Sequence, residues 1–588
     1  MRLWRAISVL ALTIGATAVT PIARADNTVQ KSIGEIERDV RDELRADFDD
    51  GAHMRDYKHV VIIYQENHSF DNLYGLWGKV DGEPVNGQSR ADSAHTLQVR
   101  QDNQTIYHCL LQNDVNLTSP SPLPTSCTDN TGSVAILSAF TNKPFAINDY
   151  IPTSATTCPN PVGAFKSTGF LNGTGLPGGC TRDIVHRFYS EQYQINGGHQ
   201  NRYVTGSDAA GLVMGFYDTR QLPIYAYLHG RGAPKYVIAD SFFQGAFGGS
   251  FLNHQYLVAA APPLFVGAAG DHGSTDLHSI VDANGMPTST PLYTALGSVK
   301  DSQLTVLCSQ AGLPAGLACG DYAVNTTQPF YQPYSPGTAD FKRLPPLYTL
   351  NIGDRLSAKK VDWAWYSGGW SNANGDVGAA GWTNGNIVGT CTDPNHLSTA
   401  VYPNCPDVNF QFHHQPLNYF ATYATGTQAR RDHLKDEAEF IQAAHNGKLK
   451  AVSFVKPIGE ENEHPGYTGE SEGSRHLVNL VRDIVEGPNG KDTLIVITYD
   501  EFGGQWDHVP PPPFNRHGAD AKAADKWGPG TRIPAILISK RFDKSGVAHE
   551  DFDTTSILRM LERRFGLEPV VTRPVRSLAA ALKASERW

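Results

Sequence analysis

The predicted fold is organised around residues 494–501, Leu-Ile-Val-Ile-Thr-Tyr-Asp-Glu. It begins with a mostly apolar, β-branched run, which is typical of a buried parallel strand. The run ends on two adjacent carboxylates, Asp500 and Glu501. Ligands of open α/β sheets bind outside the carboxyl ends of the strands, and hard cations prefer oxygen ligands. We therefore interpret this stretch as a strand that leads into a metal site, with a strand that ends in a solvated acidic turn as the alternative.

A second stretch is organised in the same way. The mostly apolar residues 59–64, His-Val-Val-Ile-Ile-Tyr, are followed at 65–72 by Gln-Glu-Asn-His-Ser-Phe-Asp-Asn. If the two strands are neighbours in the sheet, Glu66 and Asn67 complete the oxygen cage that the first stretch begins. Two strand ends of this kind are much less expected by chance than one, so we predict that both contribute to a single metal site.

Apolar strands alternate with helical patterns along the rest of the chain. This alternation predicts an α/β fold with a doubly wound, mostly parallel sheet that is flanked by helices. The predicted strands are Val60–Tyr64, Lys235–Ala239, Val361–Tyr366, Ala451–Val455, Leu494–Tyr499 and Ile533–Ile538. The predicted helices include Ile184–Ile195, Pro416–Tyr423, Asp432–His445, Arg475–Glu486 and Thr554–Phe565.

The amino terminus has the features of a secretory signal peptide. Arg2 and Arg5 give a basic start, residues 6–20 are mostly apolar, and Ala-Arg-Ala at 23–25 matches an A-x-A cleavage site. The apolar run is too short to span a bilayer, and the arginines are not adjacent as in a twin-arginine signal. We expect a signal peptide at 1–25, export to the periplasm or the exterior, and no transmembrane segment after it.

The rest of the chain is long enough to form a large core with long loop segments outside it. The formal net charge of −10 argues against nonspecific binding of nucleic acid, and the sequence gives no indication of the oligomeric state. We expect an N-terminal extension at 26–56, a catalytic domain at 57–570 and a C-terminal tail at 571–588, with insertions in the domain at about 76–180, 258–345 and 367–408.

Eight cysteines follow the signal, and their even number in an exported protein favours disulfides. No C-x-x-C motif is present, so a zinc–thiolate site is not expected. All eight lie in loop-like sequence, which indicates long excursions that disulfides hold as a cap over the core. Other connectivities stay open, but the order of the cysteines suggests four local pairs, Cys109–Cys127, Cys158–Cys180, Cys308–Cys319 and Cys391–Cys405.

Ser250 is a candidate nucleophile. It follows two glycines, begins a predicted helix, and comes after the predicted strand Lys235–Ala239. Glycines allow a substrate to approach closely, and a helix N-terminus favours an anion. The alternative is a serine that only caps the helix.

Four histidines are further candidates. His413 and His414 are adjacent before a predicted helix, His464 lies beyond the predicted strand Ala451–Val455, and His186 lies in a stretch rich in polar side chains. Imidazoles in such positions bind phosphate or a metal. The alternatives are a structural or surface pair at 413–414 and an ordinary helix histidine at 186.

Together these side chains suit the hydrolysis of a phosphate ester. A divalent metal lowers the pKa of a serine hydroxyl and draws off negative charge. The serine then attacks phosphorus to form a phosphoserine, while imidazolium groups neutralise charge and protonate the leaving alcohol. Because protonated histidine requires mildly acidic pH, an acidic optimum fits this chemistry.

The longest motifs resemble the bacterial phosphoesterase family, within the alkaline phosphatase superfamily. They are Glu-Asn-His-Ser-Phe-Asp-Asn-Leu-Tyr-Gly at 66–75, Tyr-Asp-Glu-Phe-Gly-Gly at 499–504 and Asp-His-Val-Pro-Pro at 507–511, and the resemblance runs from about residue 57 to about residue 565. That family holds exported phospholipases C and a branch of acid phosphatases. Residues 186–198, 248–255 and 410–420 look closer to the acid phosphatase branch, as does a serine at the nucleophile position, where the phospholipase branch usually has threonine.

The resemblance also implies a set of site residues. The acidic pair here is Asp-Glu, where the acid phosphatase branch can have Asp-Asp, and the identity of the metal stays open. Asp507 and His508 are expected to brace the site. The implied ligands of one divalent metal ion are Glu66, Asn67, Ser250, Asp500 and Glu501. The implied phosphate contacts are His186, Asn253, His413, His414 and His464.

The leading hypothesis is an exported acid phosphatase that acts on small phosphorylated substrates as monoesters. The alternative is a phospholipase C that cleaves the phosphodiester of a phospholipid. A third hypothesis is an extracellular binding module with a degenerate site, against which the intact strand-end acids and Ser250 argue.

Overall fold

The computed structural model describes residues 54–100, 105–112, 125–132, 135–159, 175–263, 326–340, 343–515, 524–525 and 527–587. The predicted signal peptide, most of the N-terminal extension, and both Cys308 and Cys319 lie outside these residues. No helix in the described part of the chain is long and apolar enough to cross a membrane.

An eight-stranded sheet forms the core. Its strands in chain order are β1 His59–Gln65, β2 Lys235–Ala239, β3 Trp363–Ser367, β4 Leu434–Asp436, β5 Val452–Lys456, β6 Thr493–Tyr499, β7 Ala535–Ser539 and β8 Gly546–Ala548. Across the sheet the order is β4-β3-β5-β1-β6-β7-β2-β8. Neighbouring strands run parallel except at β7, which is antiparallel to both β6 and β2.

The predicted α/β fold with a mostly parallel sheet is confirmed. All six predicted strands are present, with small shifts at their ends. The sequence did not reveal β4 and β8, because three residues are too few to show an apolar pattern. Every residue of β6 is buried, and β1 is buried after its first residue, as expected for strands covered on both faces.

Helices and short strand pairs surround the sheet. The α-helices of the described residues are Phe70–Leu73, Ser93–Thr96, Phe188–Ile195, Pro223–Leu228, Ser250–Ala259, Ile352–Ala358, Trp370–Asn374, Gln428–His433, Glu437–His445, Glu470–Glu486 and Thr554–Phe565. The two-stranded pairs are Lys79–Val80 with Glu83–Pro84, Cys127–Asp129 with Ile136–Ser138, Phe145–Ala146 with Gly215–Phe216, Phe242–Phe243 with Phe552–Asp553, and Gln328–Pro329 with Arg343–Leu344.

Three predicted helices are present. Thr554–Phe565 has the predicted limits, and Arg475–Glu486 begins earlier, at Glu470. The predicted helix Ile184–Ile195 begins only at Phe188. The residues before Phe188, which include His186, are therefore outside the helix.

The predicted continuous helix Asp432–His445 is wrong. The chain forms the helix Gln428–His433, then β4, and then the helix Glu437–His445. β4 pairs in parallel with β3, and the side chain of Asp436 accepts a hydrogen bond from the Ala438 N–H. Strand pairing and this N-cap override the local helical pattern between the two helices.

The predicted helix Pro416–Tyr423 is also wrong. The structure has two short 3₁₀ helices there, Pro416–Tyr419 and Ala421–Tyr423. Phe420 between them is extended and forms a parallel bridge with Leu347. The backbone groups that a continuous helix would use internally are bonded to this second segment instead.

The predicted tail contributes to the core. Its residues Leu578–Ser585 form a 3₁₀ helix, and the side chains from Leu578 to Leu582 are buried. This segment belongs to the folded unit because those apolar side chains are removed from water.

A buried arginine joins the loops that follow β1 and β6. Arg532 is fully buried, and its Nε donates to Asp507 Oδ1 at 3.0 Å while its Nη2 donates to Asp71 Oδ1 at 3.2 Å. His508 Nδ1 lies 2.5 Å from Asp71 Oδ2. Asp507 and His508 therefore contact this cluster, as their predicted bracing role requires.

Three of the four predicted disulfides are confirmed. They are Cys109–Cys127, Cys158–Cys180 and Cys391–Cys405. Each closes a short loop of 14 to 22 residues in sequence separation. Such cross-links stabilise segments that bury little apolar surface, chiefly by restricting the unfolded chain.

We expect Cys308 and Cys319 to form the fourth disulfide, because the other six cysteines are paired with one another. Mass mapping of peptides from the non-reduced protein checks this. A free thiol at either position, or a link to a second chain, would contradict the prediction.

Candidate active site

The parallel register of β1 and β6 brings the two predicted acidic strand ends together. Gln65 pairs with Tyr499 at the last position of both strands, so the next residues leave the sheet side by side. The Asn67 N–H donates to Asp500 Oδ1 at 3.1 Å. The four predicted ligands from these strand ends are fully buried: Glu66, Asn67, Asp500 and Glu501.

Ser250 lies against this acidic edge, at the start of the helix Ser250–Ala259. Its Oγ donates to Glu66 Oε2 at 3.2 Å and lies 3.4 Å from Asn67 Oδ1. Gly249 occupies the N-cap position and has no side chain with which to cap the helix. The helix-cap alternative is therefore excluded, because the hydroxyl faces the oxygen cage instead of the helix backbone.

The turn before Ser250 requires glycine. Gly248 has a φ of +88°, and a Cβ there would lie 2.6 Å from the Phe188 nitrogen. Only glycine adopts this conformation freely and leaves room for the neighbouring backbone. The glycine thus fixes where the serine hydroxyl enters the site.

The oxygen cage fits a divalent metal ion. Among the described residues, no hydrogen-bond donor reaches Asp500 Oδ2, whereas Oδ1 accepts from the Glu501 N–H at 2.8 Å. Burial and the nearby Glu66 carboxylate raise the pKa of Asp500 to about 8. A raised carboxyl pKa reports excess negative charge in a buried place, which a bound cation compensates. Glu66, Asn67, Ser250 and Asp500 offer the oxygen atoms that would hold it.

Glu501 has other partners. Its Oε2 accepts from the Gly503 N–H at 2.6 Å, and its Oε1 lies 3.3 Å from His186 Nε2. Burial raises the pKa of Glu501 well above its usual value, although His186 opposes the effect. Its role as a metal ligand stays a prediction. His186 is buried and contacts this carboxylate, so it is not an ordinary helix histidine.

The histidine pair lies on the other side of Glu66. His414 is buried, with its Nε2 3.1 Å from Glu66 Oε1. Its ring stacks on His254, with centroids 4.9 Å apart, and the His413 ring lies 4.5 Å from that of His414. The surface alternative is therefore excluded for His414.

His464 and Asn253 complete the predicted set. His464 Nε2 lies 2.9 Å from Asn67 Nδ2, next to the oxygen cage. The Asn253 amide bonds to the turn before the nucleophile: Oδ1 accepts from the Ala246 N–H at 2.9 Å, and Nδ2 donates to the Gly248 carbonyl at 3.2 Å. Asn253 thus shapes the serine turn, and its contact with phosphate stays a prediction.

The protonation of the imidazoles differs from the expectation. Burial lowers the pKa of His464 to about 4, and burial also lowers the pKa of His414 well below the usual value. The imidazolium expected at mildly acidic pH is therefore disfavoured at these two rings. The physical reason is that removal from water disfavours the charged form.

Three contributors were missed by sequence reasoning: His254, Lys456 and Glu191. His254 lies one helical turn after Ser250, and its ring stands between Glu66 and Asp500 at 3.8 and 3.9 Å. Lys456 is the last residue of β5 and its one charged residue. A charged residue at the end of an uncharged strand was a pattern from which the sequence could have indicated a role at the site. Glu191 gave no signal, because its partners are distant in the sequence.

Glu191, in the helix Phe188–Ile195, binds the turn that precedes Ser250, which is called the serine turn. Its Oε2 accepts from the Gly248 N–H at 2.5 Å and from Gln244 Nε2 at 2.9 Å, and its Oε1 accepts from the Thr531 N–H at 2.7 Å. Gln244 Oε1 in turn accepts from the Phe502 N–H at 3.0 Å. This buried chain of hydrogen bonds links the serine turn to the segment after the acidic pair.

Comparisons with known proteins identify the family of the chain. The sequence profile of the Phosphoesterase family matches residues 172–568, which is more than half of the chain. The chain belongs to the Phosphoesterase family. The match includes Ser250, the histidines and the strand end at Asp500.

Curated relatives match over shorter stretches. Phospholipase C B of Mycobacterium tuberculosis is 30% identical over 144 residues, which are 22% of this chain and 27% of that protein. Non-hemolytic phospholipase C of Burkholderia pseudomallei is 28% identical over 206 residues, which are 32% of this chain and 28% of that protein. Non-specific phospholipase C6 of Arabidopsis thaliana is 25% identical over 152 residues, 22% and 29% of the two chains. The matches thus span little more than a quarter of these relatives.

Solved structures match with low scores. A protein in the alkaline phosphatase superfamily from Vibrio parahaemolyticus is 12% identical, with a TM-score of 0.21 over 39% of this chain and 50% of its own. A sulfatase from Pseudoalteromonas is 18% identical, with a TM-score of 0.18 over 25% of this chain and 32% of its own.

We expect Glu191→Gln to change how stability depends on pH. Burial raises the pKa of Glu191 to about 7 from the model-compound value of 4.5. Between these values the folded protein binds the proton and the unfolded chain does not, so wild-type stability falls as pH rises, by up to about 1.4 kcal/mol per pH unit. Glutamine removes this slope but leaves buried donors unpaired, which lowers stability by about 1–3 kcal/mol.

Thermal melting of both proteins at several values between pH 4.5 and pH 7 measures the difference. The advantage of the wild type over Glu191→Gln should shrink as pH rises. Glu472→Gln is the matched control, because this side chain is half-exposed and, within the described part of the chain, forms an ion pair only with Arg475 on the helix surface. Parallel pH profiles for wild type and Glu191→Gln would contradict the prediction.

Proposed function

We propose that this protein is a metal-dependent acid phosphatase that hydrolyses small phosphate monoesters through a phosphoserine at Ser250. The observation that carries the proposal is the position of Ser250 Oγ, 3.2 Å from Glu66 Oε2 and 3.4 Å from Asn67 Oδ1 at the start of a ten-residue helix. A hydroxyl placed between metal-binding oxygens and a helix N-terminus suits attack on a phosphate anion.

The acidic edge prepares the nucleophile. Glu66, Asn67 and Asp500 would hold the metal ion, which when bound supplies Lewis-acid stabilisation of the serine oxygen. The Ser250 hydroxyl donates its hydrogen bond to Glu66 Oε2, so the direction in which its proton leaves is already set.

The histidines around the oxygen cage receive the phosphate and the leaving group. His186, His414 and His464 are buried around the cage and have ring nitrogens that form hydrogen bonds. Ser250 Oγ bonds to phosphorus while the bond from phosphorus to the ester oxygen breaks, and that oxygen leaves as the alcohol with the proton that Oγ loses. Water then attacks phosphorus, the bond to Oγ breaks, and the serine regains its proton.

The enclosure of the site favours a monoester. Ser250, His186 and His464 expose only 6, 4 and 7% of their surfaces. A phosphate on a slender alcohol enters such a site more easily than a phosphodiester that is part of a lipid layer. The serine nucleophile supports the same choice through the family resemblance.

A second candidate is a phospholipase C. The specific observation in its favour is that the matching relatives in Mycobacterium tuberculosis, Burkholderia pseudomallei and Arabidopsis thaliana all carry that name. Both candidates use the same metal cage and the same serine, so they differ in the second substituent on phosphate.

A paired assay separates the two candidates. An aryl phosphate and phosphatidylcholine are offered to the same preparation at matched enzyme concentration, and its metal content is measured. Release of phosphate from the aryl ester without diacylglycerol supports the phosphatase. Release of diacylglycerol supports the second candidate, and a metal-loaded protein that turns over neither substrate contradicts both.

We expect Ser250→Ala to lose at least roughly three orders of magnitude in kcat, because the covalent step needs the hydroxyl. Its melting temperature should stay close to that of the wild type, since the hydroxyl does not cap the helix. The wild type should yield a phosphorylated residue 250 after acid quench. A Ser250→Ala protein that retains turnover rules out the nucleophile.

Ser577→Ala is the matched control for that experiment. Ser577 Oγ accepts from the Ala579 N–H at 3.2 Å and caps the helix Leu578–Ser585. Its loss should lower stability by about 1 kcal/mol and leave turnover unchanged. The two serine variants should therefore show opposite patterns of stability and activity.

A further inference from the structure

Lys456 places a buried positive charge at the candidate metal site. It is the last residue of β5, next to β1 in the sheet, and its side chain is fully buried. Its Nζ forms an ion pair with Glu66 Oε1 and donates to the backbone carbonyls of Tyr64 at 3.0 Å and Gln65 at 3.4 Å. A buried ammonium requires such partners, because its removal from water is otherwise very costly.

The contact fixes the orientation of Glu66. Its Oε1 faces Lys456 and His414, with His414 Nε2 at 3.1 Å. Its Oε2 is thereby left toward Ser250 Oγ at 3.2 Å. Oε1 is thus bound to an ammonium and an imidazole group that are fixed in place. Oε2 faces the candidate nucleophile and the proposed metal position.

The charged side chains at this edge of the sheet also favour an ion with a charge of +2. The fully buried carboxylates of Glu66, Asp500 and Glu501 carry three negative charges when they are ionised. Lys456 supplies one positive charge, so a single divalent ion brings the total to zero. A second divalent ion would leave two positive charges in a buried place, which is strongly unfavourable.

We propose that Lys456 is a positioning residue of the metal site, which orients Glu66 and sets the site to accept one divalent ion. This inference rests on the proposed metal-dependent function and deepens it. A merely structural lysine, which only satisfies the two carbonyls at the end of β1, would affect stability without affecting which ion binds. Ion selectivity therefore distinguishes the two roles.

The test compares a divalent with a trivalent ion. Manganese(II) and terbium(III) are titrated into metal-stripped full-length protein, followed by calorimetry and by terbium luminescence. Lys456→Met removes the charge and keeps most of the volume. Because its site then carries three unbalanced negative charges, the ratio of affinities should shift toward terbium by at least about tenfold relative to the wild type.

The opposite change should have the opposite effect. Glu66→Gln keeps the lysine and removes one negative charge, so its affinity ratio should shift toward manganese by at least about tenfold. The double variant, Lys456→Met with Glu66→Gln, removes one charge of each sign and should return the ratio to near the wild-type value. This variant removes both members of the Lys456–Glu66 ion pair, which keeps the test available if Lys456→Met does not fold.

Lys450→Met is the control on the same segment. Lys450 lies two residues before the start of β5 and pairs with Asp362 near the surface, at 2.6 Å. Its loss should leave the affinity ratio unchanged. An unchanged ratio in Lys456→Met and Glu66→Gln would overturn the inference while manganese binding by the wild type still supports the proposed function. A wild type that binds neither ion would contradict the proposed function itself.

Discussion

The parallel pairing of β1 with β6 is the constraint on which the site depends. The two strands are in register up to Gln65 and Tyr499, so their chains leave the sheet at the same level. The acidic motifs that follow, 433 residues apart at Asn67 and Asp500, are then forced into hydrogen-bond contact. A slip of one residue in this register would turn every side chain of one strand to the other face and separate the two motifs.

This pairing has an electrostatic consequence. Three carboxylates without exposure to water lie at one edge of the sheet, and burial raises the pKa of both Asp500 and Glu501. For Glu66 the effect of burial is outweighed by His414 and Lys456, so that its pKa is held well below its usual value. The site thus has one acid whose charge is held by fixed partners and two acids whose ionised form a bound cation would stabilise.

The serine turn is held by groups that come from distant parts of the chain. Asn253 bonds it from within its own helix, Glu191 bonds it from an earlier helix, and Gln244 connects it to the segment after the acidic pair. On the other side, Arg532 ties the loops after β1 and β6 to each other. Buried hydrogen bonds of this kind leave a side chain little freedom, and catalytic groups need such restriction to stay within reach of the reacting atoms.

Local sequence pattern alone predicted the six longer strands, the acidic side chains at two strand ends and the position of Ser250 at the start of a helix. An apolar run followed by polar side chains is such a local pattern. It also determined three of the disulfides, since each closes a short loop. Local pattern failed at Asp432–His445 and Pro416–Tyr423, where pairing with distant segments takes over the backbone hydrogen bonds.

Only the tertiary structure decided which charges meet. Lys456, Glu191 and His254 join the site through contacts between segments far apart in the chain, and the lowered pKa of His464 follows from burial. The physical reason is that propensity and periodicity act between neighbours along the chain. Desolvation and Coulomb interaction depend on distances in space, which only the packed fold defines.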